Sequence, residues 1–170
     1  ITPKTRMIIV NSPHNPTGMV LSRDELEAIA RIAIDNDLLV ISDEAYEHLV
    51  FGGAKHVPIA ALPGMFERSV TIGSGGKSFS FTGWKVGWAS GPTDLITAVR
   101  VVRQHLSYVS AGPFQAAIAA GLRFPDSYFS DFADDLQVRR DLLSAGLRDL
   151  GFDVLPSDGT YFITSDIRPL

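Results

Sequence analysis

The residues best suited to chemistry crowd into one stretch, IGSGGKSFSFTGWKVGW (residues 72–88), where glycines, hydroxyls and two lysines directly follow an apolar, β-branched run. A glycine-rich loop bearing a lysine commonly holds a phosphate, because glycine lets backbone N–H groups approach it closely. Lys77 could grip such a phosphate, or it could be an amine that reacts. A nucleotide-binding P-loop requires G-x-x-x-x-G-K-[ST] opening a helix. Gly76, Lys77 and Ser78 supply its end, but Thr71 stands where the leading glycine belongs, and Gly83 interrupts any helix within two turns. The nucleotide reading is the weaker one. A surface lysine in a flexible loop is the plain alternative, and it leaves the neighbouring polar clusters unexplained.

Two such clusters stand upstream. In SDEAYEHLVF, Asp43 follows a strongly apolar run, so its carboxylate is expected to be partly buried. Burial alone would neutralise it, whereas a cationic partner keeps it charged. That partner could be a protonated ring nitrogen on a cofactor; a helix cap or a Lys or Arg pair would serve equally well. The same stretch is one residue from the H-x-x-E-H zinc pattern, but Glu44 occupies the first position. His14, His48, His56 and His105 have no ligand spacing, so no metal site is expected. In NSPHNPTG (residues 11–18), Asn-Pro initiates a turn and Gly18 supplies positive φ. The following proline also biases Asn15 towards extended backbone, which would fix the direction of its amide.

The elements that must carry these groups read as short β-rich runs alternating with helical patterns, an α/β fold with a mainly parallel sheet. Strands are expected at residues 6–10, 38–42, 69–73 and 86–90, and helices at 22–37, 92–108 and 112–124. Ser22 and Glu25 form a capping box for the first helix, whose apolar stripe is Leu26, Ile29, Ala30, Ala33 and Ile34. The pattern changes near Pro125: a long charged helix over residues 129–150 ends at Gly151, a plausible C′ glycine. Strands at residues 152–155 and 160–164 then flank the turn PSDG. We therefore expect one domain over residues 1–125 and the start of a smaller α+β domain over 126–170. Ligands of open parallel sheets gather at the carboxyl ends of the strands. Three successive strands would deliver Asn15, Asp43, Tyr46, Ser74 and Lys77 to one such rim.

Composition narrows the class. The 170 residues are 45% hydrophobic and 20% charged, with 15 basic and 19 acidic residues for a net charge of −4. Broad nucleic-acid or anionic-membrane binding is not expected of such a chain. It has no cysteine, which excludes disulfides, thiolate zinc sites and cysteine nucleophiles. No apolar run approaches the ~20 residues needed to span a bilayer, and nothing resembles a signal peptide, so a cytoplasmic location is expected. The chain opens without Met and already heading into a strand, and reads as part of a longer polypeptide.

NSPHNPTG, SDEAYEHLVF and GSGGKSFSFTGWKVGW, in this order and spacing, resemble the class I/II aminotransferases, pyridoxal-phosphate enzymes of fold type I. The likeness runs from Ile1 to the GTYF segment at residues 159–162. TGWKVGW, YEHLVF and SYVSAGPFQAA look most like the kynurenine/glutamine transaminase branch and the actinobacterial N-succinyldiaminopimelate aminotransferases. The resemblance implies part of a PLP-transferase large domain, with helices on both sheet faces, and the start of the small domain.

It also implies roles. Lys77 matches the Schiff-base lysine, which then serves as the base moving a proton. Asp43 matches the aspartate facing the pyridine nitrogen, and Tyr46 the donor to the cofactor's phenolic oxygen. Asn15 matches the asparagine that reaches the same oxygen and the substrate carboxylate. Ser74 and Lys85 match the phosphate ligands, although many relatives carry arginine where this chain has Lys85. Residues 107–113 would approach the partner's site in a homodimer. The family's upstream phosphate loop, its ring-stacking aromatic and its carboxylate-binding arginine have no counterpart in residues 1–170, so the chain alone is expected to be inactive. The reaction implied is amino transfer between an amino acid and a 2-oxo acid. A cysteine-conjugate β-lyase or an aminotransferase-like sensory domain would share much of this pattern.

Overall fold

A computed structural model describes residues 1–168. Its centre is a four-stranded sheet in the order β1 (Met7–Asn11), β2 (Leu39–Asp43), β3 (Ser69–Ser74) and β4 (Gly87–Ser90). The first three strands run parallel and β4 pairs antiparallel with β3. The antiparallel step goes with the connection over residues 75–86, whose one α-helical turn (Gly75–Ser78) is too short to carry the chain back across the sheet for a parallel return.

The expected helix after β1 forms as α1 (Arg23–Asp35), entered through the capping box: Glu25 N–H donates to Ser22 Oγ and Ser22 N–H to Glu25 Oε2. Leu26, Ala30 and Ala33 point inward and meet Val10, Leu38, Val40, Ile59, Leu62 and Met65 in the main core. Alternation along the strands puts Met7, Ile9 and Leu39 on the opposite face of the sheet, where they are exposed, as is Ile72 of β3.

Beyond the sheet lie α2 (Gly75–Ser78), α3 (Thr93–Leu106), α4 (Gly112–Gly121) and α5 (Asp126–Asp149). α3 stops two residues before its expected end, at a turn where Tyr108 takes a φ of 53°. α5 begins three residues earlier than expected, directly after Pro125, whose extended backbone sets the helix entry. Its end is as read: Gly151 has a φ of 89°, and its N–H donates to the Arg148 carbonyl.

The expected strand over residues 160–164 does not form. β5 (Asp153–Val154) pairs instead with β6 (Ser165–Asp166). Thr160 takes a φ of 67°, incompatible with a strand, and its N–H donates to the Leu49 carbonyl at 2.9 Å. Residues 126–168 do not pack alone: Phe132, Ala133, Leu136 and Phe162 close over Tyr46, Leu49 and Phe51 in a second cluster.

The segment around Ser157 clamps the loop after β1. Asp158 N–H donates to the Gly18 carbonyl at 3.0 Å, and Thr164 Oγ1 to the Pro16 carbonyl at 3.2 Å. Gly18, at a φ of 71°, sits where a Cβ would lie 2.1 Å from Ser157 Oγ and 2.8 Å from the Gly159 carbonyl oxygen.

In the full-length protein, Gly18→Ala should lower stability by about 2–4 kcal/mol, combining strain with a backbone clash. Gly53→Ala shares the positive φ but faces open space, and should cost only about 1 kcal/mol. Denaturant titration compares the two, and equal losses would contradict the clamp. Ser22→Ala, which removes the cap of α1, should cost about 1 kcal/mol by the same measurement.

Candidate active site

The parallel strands β1 and β2 end level, with Asn11 opposite Asp43, and β3 runs on from Ile72, opposite Asp43, to Ser74 at the same edge. The segments leaving their carboxyl ends are therefore delivered to one rim.

After β1, the Asn11 side chain organises its own loop. Its Nδ2 donates to the Asp43 carbonyl at 3.0 Å and the Pro13 carbonyl at 3.3 Å, while its Oδ1 accepts from Asn15 N–H at 3.2 Å. Asn15 is thereby aimed so that its Nδ2 donates to the Tyr46 hydroxyl at 3.3 Å. After β2, Asp43 is half-buried, and its Oδ1 accepts from Ala45 N–H at 3.2 Å. It makes no ion pair among the described residues. No helix follows Asp43, so this contact is a turn and not the helix cap that was the alternative, and the carboxylate keeps the capacity to receive a cation.

The next residue faces the other way. Glu44 is buried, accepting from Ser42 Oγ at 2.8 Å and lying 2.8 Å from His56 Nε2. This pair ties the strand end to the 51–58 loop.

After β3 the chain makes the single turn α2, too short for the helix that a P-loop requires. Glycine is needed at Gly76, where a Cβ would lie 2.9 Å from Thr82 Cα, and Thr82 Oγ1 donates to the Gly76 carbonyl at 3.1 Å. Lys77 leaves this tight turn with its Nζ 5.7 Å from the Tyr46 ring centroid and 5.6 Å from that of Tyr161. Each contact is worth about 0.5–1 kcal/mol for a cation over an aromatic face.

Ser74 ends β3 opposite Gly87, and Gly75 N–H donates to the Val86 carbonyl at 3.1 Å. Lys85, at a φ of 56°, enters this same corner with its side chain exposed and without a hydrogen bond among the described residues. Asn15, Tyr46 and Lys77 are thus brought into one cluster with Asp43 beside it. Ser74 and Lys85 stand at the neighbouring corner, without a hydrogen bond to each other.

Two residues of this arrangement were not among the expected site residues. Asn11 could be read only as part of a turn. Tyr161 lies in GTYF, far along the chain, where nothing local distinguishes it from a packing aromatic. The Tyr46 hydroxyl donates to the Tyr161 oxygen at 3.4 Å, and the rings meet edge to face at 5.4 Å. Burial pushes the Tyr46 phenol well above its ordinary range. The hydrogen bond to Tyr161 and the charges of Tyr161 and Asp43 add to this, with Asn15 opposing. Tyr46 is therefore a neutral donor at physiological pH. Burial also pushes the Tyr161 phenol up, but Lys77 and the Tyr46 hydroxyl outweigh it, so Tyr161 ionises below the usual range.

Comparison with known proteins places the chain in a family. The family model "Aminotransferase class I and II" matches residues 1–170, the whole chain. The chain is 54% identical over 170 residues to the probable N-succinyldiaminopimelate aminotransferase DapC of Mycobacterium tuberculosis, covering 100% of this chain and 43% of that protein. It is 46% identical over 174 residues to kynurenine–oxoglutarate transaminase 3 of Rattus norvegicus, covering 98% of this chain and 38% of the relative. The solved structure of the N-succinyldiaminopimelate aminotransferase from Mycobacterium tuberculosis superposes with a TM-score of 0.97 at 54% identity, over 99% of this chain and 44% of that one. The chain thus spans less than half the length of the relatives it matches. Its sheet and helices are part of a fold type I structure, and the family is pyridoxal-phosphate dependent. The chain belongs to the class I and II aminotransferases.

Proposed function

We propose that the whole protein is a pyridoxal-phosphate aminotransferase moving an amino group between an amino acid and a 2-oxo acid, and that residues 1–168 supply most of its catalytic groups. The observation that carries this reading is the Lys77 amine, set between two tyrosine rings at the common rim of three parallel strands.

The donor set suits the cofactor group by group. Asp43, a carboxylate without a cationic partner among the described residues, is suited to a protonated ring nitrogen. The Asn15 amide and the Tyr46 hydroxyl, already joined at 3.3 Å, are suited to a phenolate oxygen. The Ser74 hydroxyl and the Lys85 ammonium suit a phosphate, Lys85 as a point charge rather than the bidentate fork of an arginine. When bound, the cofactor supplies an aldehyde that captures the amino group and a ring that withdraws electrons from the adjacent C–H bond.

The remaining work belongs to the chain. The Lys77 amine would hold the cofactor's aldehyde carbon and would serve as the base for the proton on the substrate's α-carbon. Asp43 keeps the ring nitrogen protonated, each unit of pKa it imposes being worth about 1.4 kcal/mol. Tyr46 stays neutral and donates, while Asn15 fixes Tyr46 and reaches for the substrate carboxylate.

For the substrate we propose an amino donor of the N-succinyldiaminopimelate type, from the 54% identity to a relative of that name, with kynurenine as the comparison donor. We further read residues 1–125 as part of the large domain and 126–170 as the start of the small one, in a cytoplasmic homodimer with shared sites. The exposed Tyr108 and Val109, at 71% and 66%, support a partner contact at residues 107–113.

In the full-length protein, Lys77→Ala should lower amino transfer by roughly 10³-fold or more in a 2-oxo acid-coupled assay; full activity in that variant would refute the assignment. Asp43→Ala should retain some cofactor by absorbance but lose about 10²-fold in kcat. A donor screen should rank N-succinyldiaminopimelate above kynurenine, and the reverse order would overturn the substrate proposal.

A further inference from the structure

Tyr161 is contributed by the segment after α5, yet it stands against the two residues most central to the candidate site. Its oxygen accepts from the Tyr46 hydroxyl at 3.4 Å, and Lys77 Nζ lies 5.6 Å from its ring centroid. The side chain is 46% exposed, so packing of the ring alone does not fix its direction. The backbone does.

Thr160, just before it, is fully buried at a φ of 67°, an outlier for a β-branched residue. The Thr160 N–H donates to the Leu49 carbonyl, and its Oγ1 accepts from Phe162 N–H at 3.2 Å. Ser157 Oγ reaches the Gly159 and Phe162 carbonyls at 3.0 and 3.3 Å, and Arg140 Nη1 donates to the Ser157 carbonyl at 2.7 Å. Both sides of Tyr161 are thus pinned, and a strained residue is held by its surroundings at a site where direction matters.

Resting on the reading of Lys77 given above, we propose that Tyr161 is a positioning residue. Its hydroxyl and ring, with those of Tyr46, hold the Lys77 amine over the ends of β1–β3, so that the segment after α5 completes the site. Tyr46 donates to Tyr161 and cannot donate that same proton to Lys77. The Tyr161 oxygen accepts that proton, and its ring stands 5.6 Å from the Lys77 amine. Its role is to fix the amine's direction, so its removal should slow the chemical step more than it weakens substrate binding.

The test uses full-length protein and the variants Tyr161→Phe, which keeps the ring, and Lys77→Met. In cofactor-free protein, ultraviolet titration of phenolate should show one tyrosine ionising below the ordinary range. That transition should vanish in Tyr161→Phe and move upward in Lys77→Met, whose neutral side chain no longer favours the phenolate. In the cofactor-loaded enzyme, Tyr161→Phe should lower kcat roughly tenfold or more, with KM for the 2-oxo acid within about twofold and only a small drop in the denaturation midpoint from the Tyr46 hydroxyl losing its acceptor. A wild-type kcat with an unaltered phenolate titration in Tyr161→Phe, beside an inactive Lys77→Met, overturns the role of Tyr161 alone. Full activity in Lys77→Met overturns the assignment of Lys77 and this inference with it.

Discussion

The structure depends on the register of three parallel strands. Because Asn11, Asp43 and Ile72 stand side by side, the segments that leave β1, β2 and, two residues further on, β3 start from the same edge of the sheet. A slip of one residue in β2 would turn every side chain to the opposite sheet face. Asp43 would then exchange places with Ser42 or Glu44, which bond to each other in the interior. The main core fixes this register, since Val10 and Val40 must face α1. The placement of the site is in this sense a by-product of hydrophobic burial.

Alternation after β2 separates two kinds of acidic residue. Glu44 is turned inward and bonded to Ser42 and His56, so its charge is used in holding the strand end. The carboxylate of Asp43, one residue earlier, accepts only the Ala45 N–H among the described residues. Neighbours in sequence with the same charge thus differ in their partners, Glu44 engaged in the interior and Asp43 left with free acceptor capacity. The tyrosines divide similarly: burial keeps Tyr46 a neutral donor, whereas the positive charge of Lys77 favours ionisation of Tyr161.

Much of this was legible in the sequence where the signals are local. The capping box of α1, the apolar strands and the glycines around Lys77 each arise from backbone sterics or periodicity, and they fell within a few residues of their expected places. The failed P-loop match was informative too, because Thr71 and the short α2 exclude the same alternative. What escaped notice is non-local. Thr160 reads as a strand former, and its bonds to the Leu49 carbonyl and the Phe162 N–H, with those of Ser157 on either side, hold it in a left-handed turn. Asn11 and Tyr161 gain their significance from partners 32 and 115 residues away, which no local pattern specifies.

The central claim is that Lys77, and not Lys85, is the amine that carries the cofactor. Borohydride reduction of the cofactor-loaded full-length protein, with peptide mass mapping of the product, tests it most directly. The account predicts a phosphopyridoxyl adduct on the peptide containing Lys77, with Lys85 unmodified. An adduct on Lys85 or another lysine, or no reducible linkage at all, would contradict it.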